Sequence, residues 1–401
     1  MKYDFETVLD RSGSGSIKWA EMRELNPDLP PGIIPFSVAD MELKNAPEIM
    51  RGLREYLDEN KISLGYTFRT QGYLDAVSGW MKRRHGWDVD MDWLVMSPGV
   101  VTALYCAVRA YTEPGEGVII FTPVYYPFMS SISQSGRVVV DVPLVIADDR
   151  YEIDWDGFEA AARDAGNKLL IFCSPHNPVG RVWTREELAR LSDICLNNNV
   201  FVISDEIHND LVMPGHKHTI FSKLSDAAAN NSLICSSPSK TFSLAGLQTS
   251  NLFVPDAARR KQLQKEMSMF ALHTLNAVGI KACEIAYNEC EEWLDQAIGL
   301  IERNARFVNE FMMRHIPRIK VFPLEGTYLQ WWDCRELFDD HLEMESFMQK
   351  RAFLFLDEGY IFGDAGRGFE RINLACPTSA LEEALGRLAS ALGTASSAGR
   401  R

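Results

Sequence analysis

Between Gly117 and Val254 short β-rich runs alternate with segments of helix length, and that alternation leaves few folds open. The runs fall at 117–121, 137–142, 168–173, 200–204, 232–235 and 250–254. One helical stretch between them, 184–197, opens with Thr184-Arg185-Glu186-Glu187, a capping box in which each side chain satisfies the other residue's backbone N–H. Strands recurring between helices pair in parallel, are covered on both faces and leave a ligand site at their carboxyl ends. The expected class is α/β with a mainly parallel, helix-covered sheet.

Outside that core the pattern changes. Residues 1–45 are polar and irregular, an arm lying on something else, and a helix is expected from Ala46-Pro47 with proline at an early position. Gly65-Tyr66-Thr67 falls in a turn, and helical patterns follow at 73–85 and 103–111. The second is preceded by Ser97-Pro98-Gly99-Val100-Val101-Thr102, a small-residue turn whose free N–H groups suit a phosphate or simply start a helix. After about residue 256 the chain reads as helical to 314, with one long helix at 288–314. Strands are expected at 321–332, 353–356 and 371–374, a last helix at 379–392 and a frayed tail from 394.

At 401 residues the chain exceeds one ordinary hydrophobic core, so two domains are expected. No apolar run is long enough to cross a membrane, and Met1-Lys2-Tyr3-Asp4-Phe5-Glu6 is not a signal region, which makes the cytoplasm the expected location. Eight scattered cysteines form no Cys-x-x-Cys and no Cys/His spacing, so neither a disulfide framework nor a metal site is expected. A formal charge of -14 speaks against nonspecific nucleic-acid binding.

Several polar residues stand at strand ends. Lys240 lies in Ser236-Ser237-Pro238-Ser239-Lys240-Thr241, just after the run Leu233-Ile234-Cys235. Desolvation there would lower its pKa and let the amine form a Schiff base. Ser-x-x-Lys also occurs in penicillin-binding enzymes, but their Ser-Asp-Asn and Lys-Thr-Gly are missing from the chain. Lys240 is therefore a candidate anchor for pyridoxal 5'-phosphate. Asp205, after the run Val200-Phe201-Val202-Ile203, could keep a pyridine nitrogen protonated. His208 could adjust Asp205 or donate to the cofactor's phenolic oxygen. Asn177, in a turn stiffened by Pro175, Pro178 and Gly180, could meet the same oxygen. Tyr125 could stack on a planar ring, and Arg371 could take a carboxylate with both arms. Each residue alone also suits a cap, a turn, core packing or a surface ion pair; their order along the chain carries the specificity.

That order, phosphate turn, stacking aromatic, Asn-Pro turn, strand-end Asp, Schiff-base Lys and late Arg, resembles the fold-type I pyridoxal-phosphate enzymes, the aspartate aminotransferase superfamily. The narrower resemblance is to carbon-sulfur β-lyases of the cystathionine β-lyase and cysteine desulfhydrase kind. It rests on Tyr3-Asp4-Phe5, Asp10-Arg11, Lys18-Trp19, Val38-Ala39-Asp40-Met41, Arg83-Arg84-His85-Gly86-Trp87, Ser97-Pro98-Gly99-Val100-Val101 and Ser204-Asp205-Glu206-Ile207-His208, and runs from residue 3 to about 390.

The resemblance implies a mainly parallel seven-stranded sheet and a smaller α+β domain built from both chain ends. It divides the chain into 1–45 (arm and part of the small domain), 46–287 (cofactor domain), 288–392 (small domain) and 393–401 (tail). It implies Lys240 as the covalent anchor, Asp205 at the pyridine nitrogen, Asn177 and His208 near the phenolic oxygen, and Tyr125 on the ring. The phosphate would meet Gly99, Val100, Val101 and Ser237, with Tyr66 reaching over from a second subunit of a homodimer. Arg371 would bind the substrate carboxylate, with Ala39, Asn177 and Tyr126 beside it. Two positions depart from the family: Gln248 stands where many relatives carry a phosphate-binding Arg, and Ser37 where the lyases usually have Trp. The implied reaction is β-elimination of a thiol from L-cystathionine or a related cysteine S-conjugate, leaving pyruvate and ammonia. An aminotransferase and a non-catalytic regulatory protein of the same fold are the rivals.

Overall fold

A computed structural model describes residues 2–59, 64–272 and 274–398. Nine strands come first: β1 (Leu94–Ser97), β2 (Gly117–Ile120), β3 (Val138–Asp141), β4 (Val145–Ala147), β5 (Arg150–Glu152), β6 (Asn167–Cys173), β7 (Phe201–Asp205), β8 (Ser232–Ser236) and β9 (Ser250–Phe253). Seven of them form one sheet in the order β1-β9-β8-β7-β6-β2-β3, and β4 and β5 make a separate hairpin. Every pair from β8 to β3 is parallel, while β9 runs antiparallel to both neighbours. The mainly parallel seven-stranded sheet is thus as expected.

Apart from the partly exposed edge strand β3, the sheet is buried on both faces, which is why its strands read as continuous apolar runs instead of alternating ones. Successive residues of β6 part cleanly: Leu170 and Phe172 pack in one core, Leu169, Ile171 and Cys173 in the other. Val202 of β7 joins the first core, Phe201 and Ile203 the second. β1 escaped the sequence reading because it is an edge strand whose register comes only from pairing with the distant β9.

The helices follow expectation where local signals are strong. Thr184 and Glu187 close their capping box, Thr184 accepting from Glu187 N at 3.2 Å and Glu187 from Thr184 N at 2.7 Å. Pro47 occupies the first position of Pro47–Asp58. The long helix expected at 288–314 is present as Glu291–His315, set apart from the preceding helix Ala277–Glu289 by Cys290, which leaves helical geometry at φ -111° and ψ 16°. The arm is not wholly irregular, since Ile17–Leu25 is helical and buries Lys18, Trp19 and Met22. The last helix, Thr378–Ala398, runs past the expected end at 392, and residues 399–401 of the expected tail lie outside the described residues.

A second, antiparallel sheet follows, with β10 (Lys320–Val321), β11 (Leu329–Asp333), β12 (Asp357–Glu358) and β13 (Phe369–Asn373) in the order β10-β11-β13-β12. The strand expected across 321–332 breaks in two around Thr327, whose φ of 70° no strand accepts. The strand expected at 353–356 is irregular, with Phe353 at φ 48°; pairing starts only at Asp357. The N-terminal arm docks here, Phe36 N donating to Phe355 O at 2.8 Å and Asn373 N to Phe36 O at 2.9 Å.

This sheet sets a buried acid opposite a half-buried one. Glu370 lies directly opposite Glu358, is 1% exposed, and neither of its carboxyl oxygens meets a hydrogen-bond partner. Burial, then the charges of Glu358, Asp357 and Glu345, push the Glu370 carboxyl well above the ordinary 4.5. Burial likewise pushes Glu358 up to about 7. A folded carboxyl that holds its proton longer than the unfolded one stabilises the protein fully below the unfolded pKa and loses that contribution as pH rises toward the folded one. Glu370→Gln, which is neutral at every pH, should therefore melt above the wild type at pH 8, with the gap shrinking at pH 5. Scanning calorimetry at the two pH values checks this, and an equal gap at both would show that Glu370 does not titrate between them.

Candidate active site

The carboxyl ends of β6, β7 and β8 converge with the start of helix Val100–Tyr111 on a cavity of about 260 Å³. Lys240 reaches it from a short helix, Pro238–Thr241, that follows β8. Its amine donates to Ala39 O at 2.8 Å, so the arm contributes to the site directly. Burial, reinforced by the positive charge of Arg371, lowers the amine to about 8 against the opposing pull of Asp40, Asp205 and Asp357. The next residue fixes the turn: Thr241 Oγ1 donates to Asp210 Oδ2 at 2.7 Å, and Asp210 also accepts from Trp80 Nε1 at 3.1 Å.

Asp205 ends β7, buried, and one oxygen accepts from Ile207 N at 3.1 Å. Burial raises its carboxyl to about 7, the Ile207 hydrogen bond and the Lys240 charge pulling the other way. His208 is buried beside it, with Nδ1 left without a hydrogen-bond partner. Burial, then the charges of Lys240 and Arg371, hold its imidazole neutral, well below the ordinary 6.5. The ring meets Tyr328 edge-on, centroids 5.8 Å apart.

Asn177 lines the cavity and its Oδ1 accepts from Arg371 Nη1 at 2.8 Å. A guanidinium can only donate, so that bond fixes the amide orientation and reserves its NH2 for other acceptors. Arg371 is no surface residue. It sits inside β13, buried, with its other arm on Asp357 Oδ2 and its guanidinium 4.8 Å from the centroid of the Phe362 ring. Its Nε has no partner. Asp357 Oδ2 also accepts from Val38 N at 2.8 Å, tying the arginine to the arm.

The structure does not gather all the expected residues. Gly99, Val100, Val101, Tyr125 and Ala39 line the cavity, and Gly99, at φ 110°, caps the helix in a geometry that only glycine adopts freely. Burial raises the Tyr125 phenol, so it stays protonated. Ser237 is not at the cavity: its hydroxyl donates to Thr249 O at 2.7 Å and accepts from Ser239 N at 3.0 Å, capping the lysine's helix. Ser239 and Thr102 line the cavity instead. Tyr126 is 46% exposed, Tyr66 wholly so, and neither is among the lining residues. Gln248 does line it, at φ 44°, and among the described residues Lys240 is the only Lys or Arg that does. Sequence reasoning missed Asp357 and Tyr328, whose roles depend on contacts with remote parts of the chain.

A lysine, a carboxyl, an imidazole and an amide at the carboxyl ends of a parallel sheet define the class, and comparison with known proteins agrees. The chain belongs to the aminotransferase class I and II family, whose model matches residues 31–388. It is 39% identical to the cystathionine beta-lyase PatB of Bacillus subtilis, over 97% of this chain and 100% of that protein. Cystalysin from Treponema denticola, whose crystal structure contains pyridoxal 5'-phosphate, superposes with a TM-score of 0.96 at 47% identity, covering 98% of this chain and 100% of that one. A pyridoxal-phosphate-bound C-S lyase from Staphylococcus hominis superposes at 0.89 with 29% identity, covering 98% of each.

The paired hydrogen bonds of Arg371 generate a prediction. Arg371→Lys keeps the charge but removes the planar fork, and a hydrogen bond to a charged group contributes about 1.5–3 kcal/mol. For an amino-acid substrate KM should rise roughly 10- to 100-fold while the visible absorbance of bound cofactor is unchanged. Steady-state kinetics with an absorbance scan checks both, and an unchanged KM would separate Arg371 from the substrate carboxylate.

Proposed function

We propose that this chain is a pyridoxal-phosphate-dependent carbon-sulfur β-lyase that releases a thiol, pyruvate and ammonia from L-cystathionine or related cysteine S-conjugates. The observation that carries the reading is the full-length likeness to a named cystathionine β-lyase. The donor set suits the cofactor: an unpartnered buried His208 Nδ1 and a carboxyl at Asp205 that burial has pushed up to about 7 both await a polar group in the cavity. Lys240 would hold the cofactor's aldehyde carbon, Asp205 its ring nitrogen, Asn177 and His208 its ring oxygen, and Tyr125 its face. The N–H groups of Gly99, Val100 and Val101, with Thr102 and Ser239, would hold its phosphate.

When bound, pyridoxal phosphate draws electrons from the α-carbon of an amino acid, which acidifies the α-hydrogen and lets a β-substituent depart. The protein's share is placement and proton transfer. Arg371 grips the α-carboxylate and, through Asn177, fixes its position relative to the sheet end. Lys240 Nζ, lowered to about 8, is basic enough at neutral pH to take the α-proton. Tyr125, kept protonated by burial, or the adjoining Tyr126 can hand a proton to the leaving sulfur.

We propose further that two chains share the site, Tyr66 reaching the phosphate of its partner's cofactor. Its full exposure in a single chain supports this. The small domain we assign to 288–392 with the arm, and the cofactor domain to 46–287.

With L-cystathionine and no added 2-oxo acid, the purified holoenzyme should release pyruvate, and Lys240→Ala should lose both turnover and the cofactor's imine absorbance. Amino transfer that needs a 2-oxo acid, with no pyruvate, would make it an aminotransferase. Tyr66→Ala should lose cofactor faster on gel filtration; wild-type retention would argue against a shared site.

A further inference from the structure

A second cavity, about 970 Å³, shares no lining residue with the one that holds Lys240. It lies between the end of helix Gln71–His85, the start of helix Arg185–Asn197 and the segment 212–220. Six Lys and Arg side chains line it against three carboxylates, Asp210, Glu291 and Asp295, in a chain whose net charge is -14. Three of the cations are neutralised by ion pairs. Arg83 pairs with Glu291, Arg84 with Glu291 and Asp295, and Arg150 with Glu325.

The other three have no carboxylate partner among the described residues. Arg185 donates only to the carbonyl of Leu224, at 3.3 Å, and Lys223 only to that of His85, at 2.6 Å. Lys217 is exposed at the cleft, next to the exposed His216. All three line the same cleft, and Lys223 is lowered by burial and then by the positive charges of Lys217 and Arg185. Like charges held together without counter-charge destabilise the folded chain, and an anion placed among them removes that repulsion. A volume of this size is that of a small-molecule pocket, and an arginine fork beside two ammonium groups suits the tetrahedral oxygens of phosphate better than one planar carboxylate.

We propose that this cleft binds a small molecule carrying two or more phosphate charges, with Arg185, Lys217 and Lys223 on its anionic oxygens and His216 at the rim. It is a site separate from the lyase chemistry and stands whether or not that reading holds.

The test is calorimetric titration of the holoenzyme with sodium pyrophosphate, using citrate as a polycarboxylate arm and sodium chloride at matched ionic strength as background. One pyrophosphate per chain is expected, weakened at least tenfold by Arg185→Glu with Lys217→Glu. Both residues are exposed, so the variant should fold, and a circular-dichroism melt verifies it; if it does not, Lys217→Ala alone should still weaken binding severalfold. The same charge change elsewhere, Lys261→Glu with Lys265→Glu on the exposed side of helix Ala257–Met269, should leave affinity unchanged. Absent binding, or binding that both double variants reduce equally, overturns the site. Citrate binding as tightly as pyrophosphate and lost in the same variant overturns the assignment to phosphate.

Discussion

A lysine amine taken out of water sets the terms for everything around it. Burying an ammonium is costly unless it is paired or becomes neutral. Here the amine of Lys240 gains one carbonyl, that of Ala39, and no carboxylate hydrogen bond, so its charge is weakly supported and its basicity is brought close to neutral pH. The same environment acts with opposite sign on Asp205, which burial makes a weaker acid. Two groups of opposite charge type are thus drawn toward the same pH range from opposite directions, a pattern that accompanies proton-transfer sites.

Keeping that lysine in place requires the chain ends to come together. The arm that supplies Ala39 is held by charge: Arg11 pairs with Asp40 at 2.7 Å and Glu42 at 2.9 Å, and the fully buried Lys18 pairs with Glu42 at 2.8 Å. Trp19 Nε1 donates to the same Glu42 at 3.2 Å. Breaking a buried pair by removing one partner costs about 3–5 kcal/mol, so these contacts resist piecemeal loss. From the other side, Ser243 Oγ donates to Asp40 Oδ1 at 3.1 Å, and Asn45 Nδ2 to the carbonyls of Phe242 and Ser243, which stitches the arm to the segment just beyond Lys240.

Much of this was legible in the sequence wherever the signal was local. Six of the seven strands of the main sheet announced themselves as apolar runs, and Lys240, Asp205, Asn177 and Tyr125 stood at their ends and do meet at one cavity. What stayed hidden depends on remote partners. β1 is defined only by β9, Asp357 only by Arg371 and Val38, and the burial of Arg371 only by the folding of the second sheet around it. The capping role of Ser237 was likewise hidden: in Ser236-Ser237-Pro238-Ser239 the sequence does not show which hydroxyl closes the helix, and backbone geometry gives that task to Ser237.

The bond from Val38 N to Asp357 links two events that chemistry usually treats separately. One residue of the arm, Val38, touches the partner of the arginine fork, and the next, Ala39, holds the amine of Lys240. Val38 is also held at φ 54°, a left-handed turn that a β-branched residue seldom keeps without such anchors. Any shift of this dipeptide changes the two together: drawing it away frees the amine and loosens the guanidinium's counter-charge in the same motion. The amine of Lys240 and the counter-charge of Arg371 are therefore coupled through one dipeptide of the arm, although they lie on different elements of the fold.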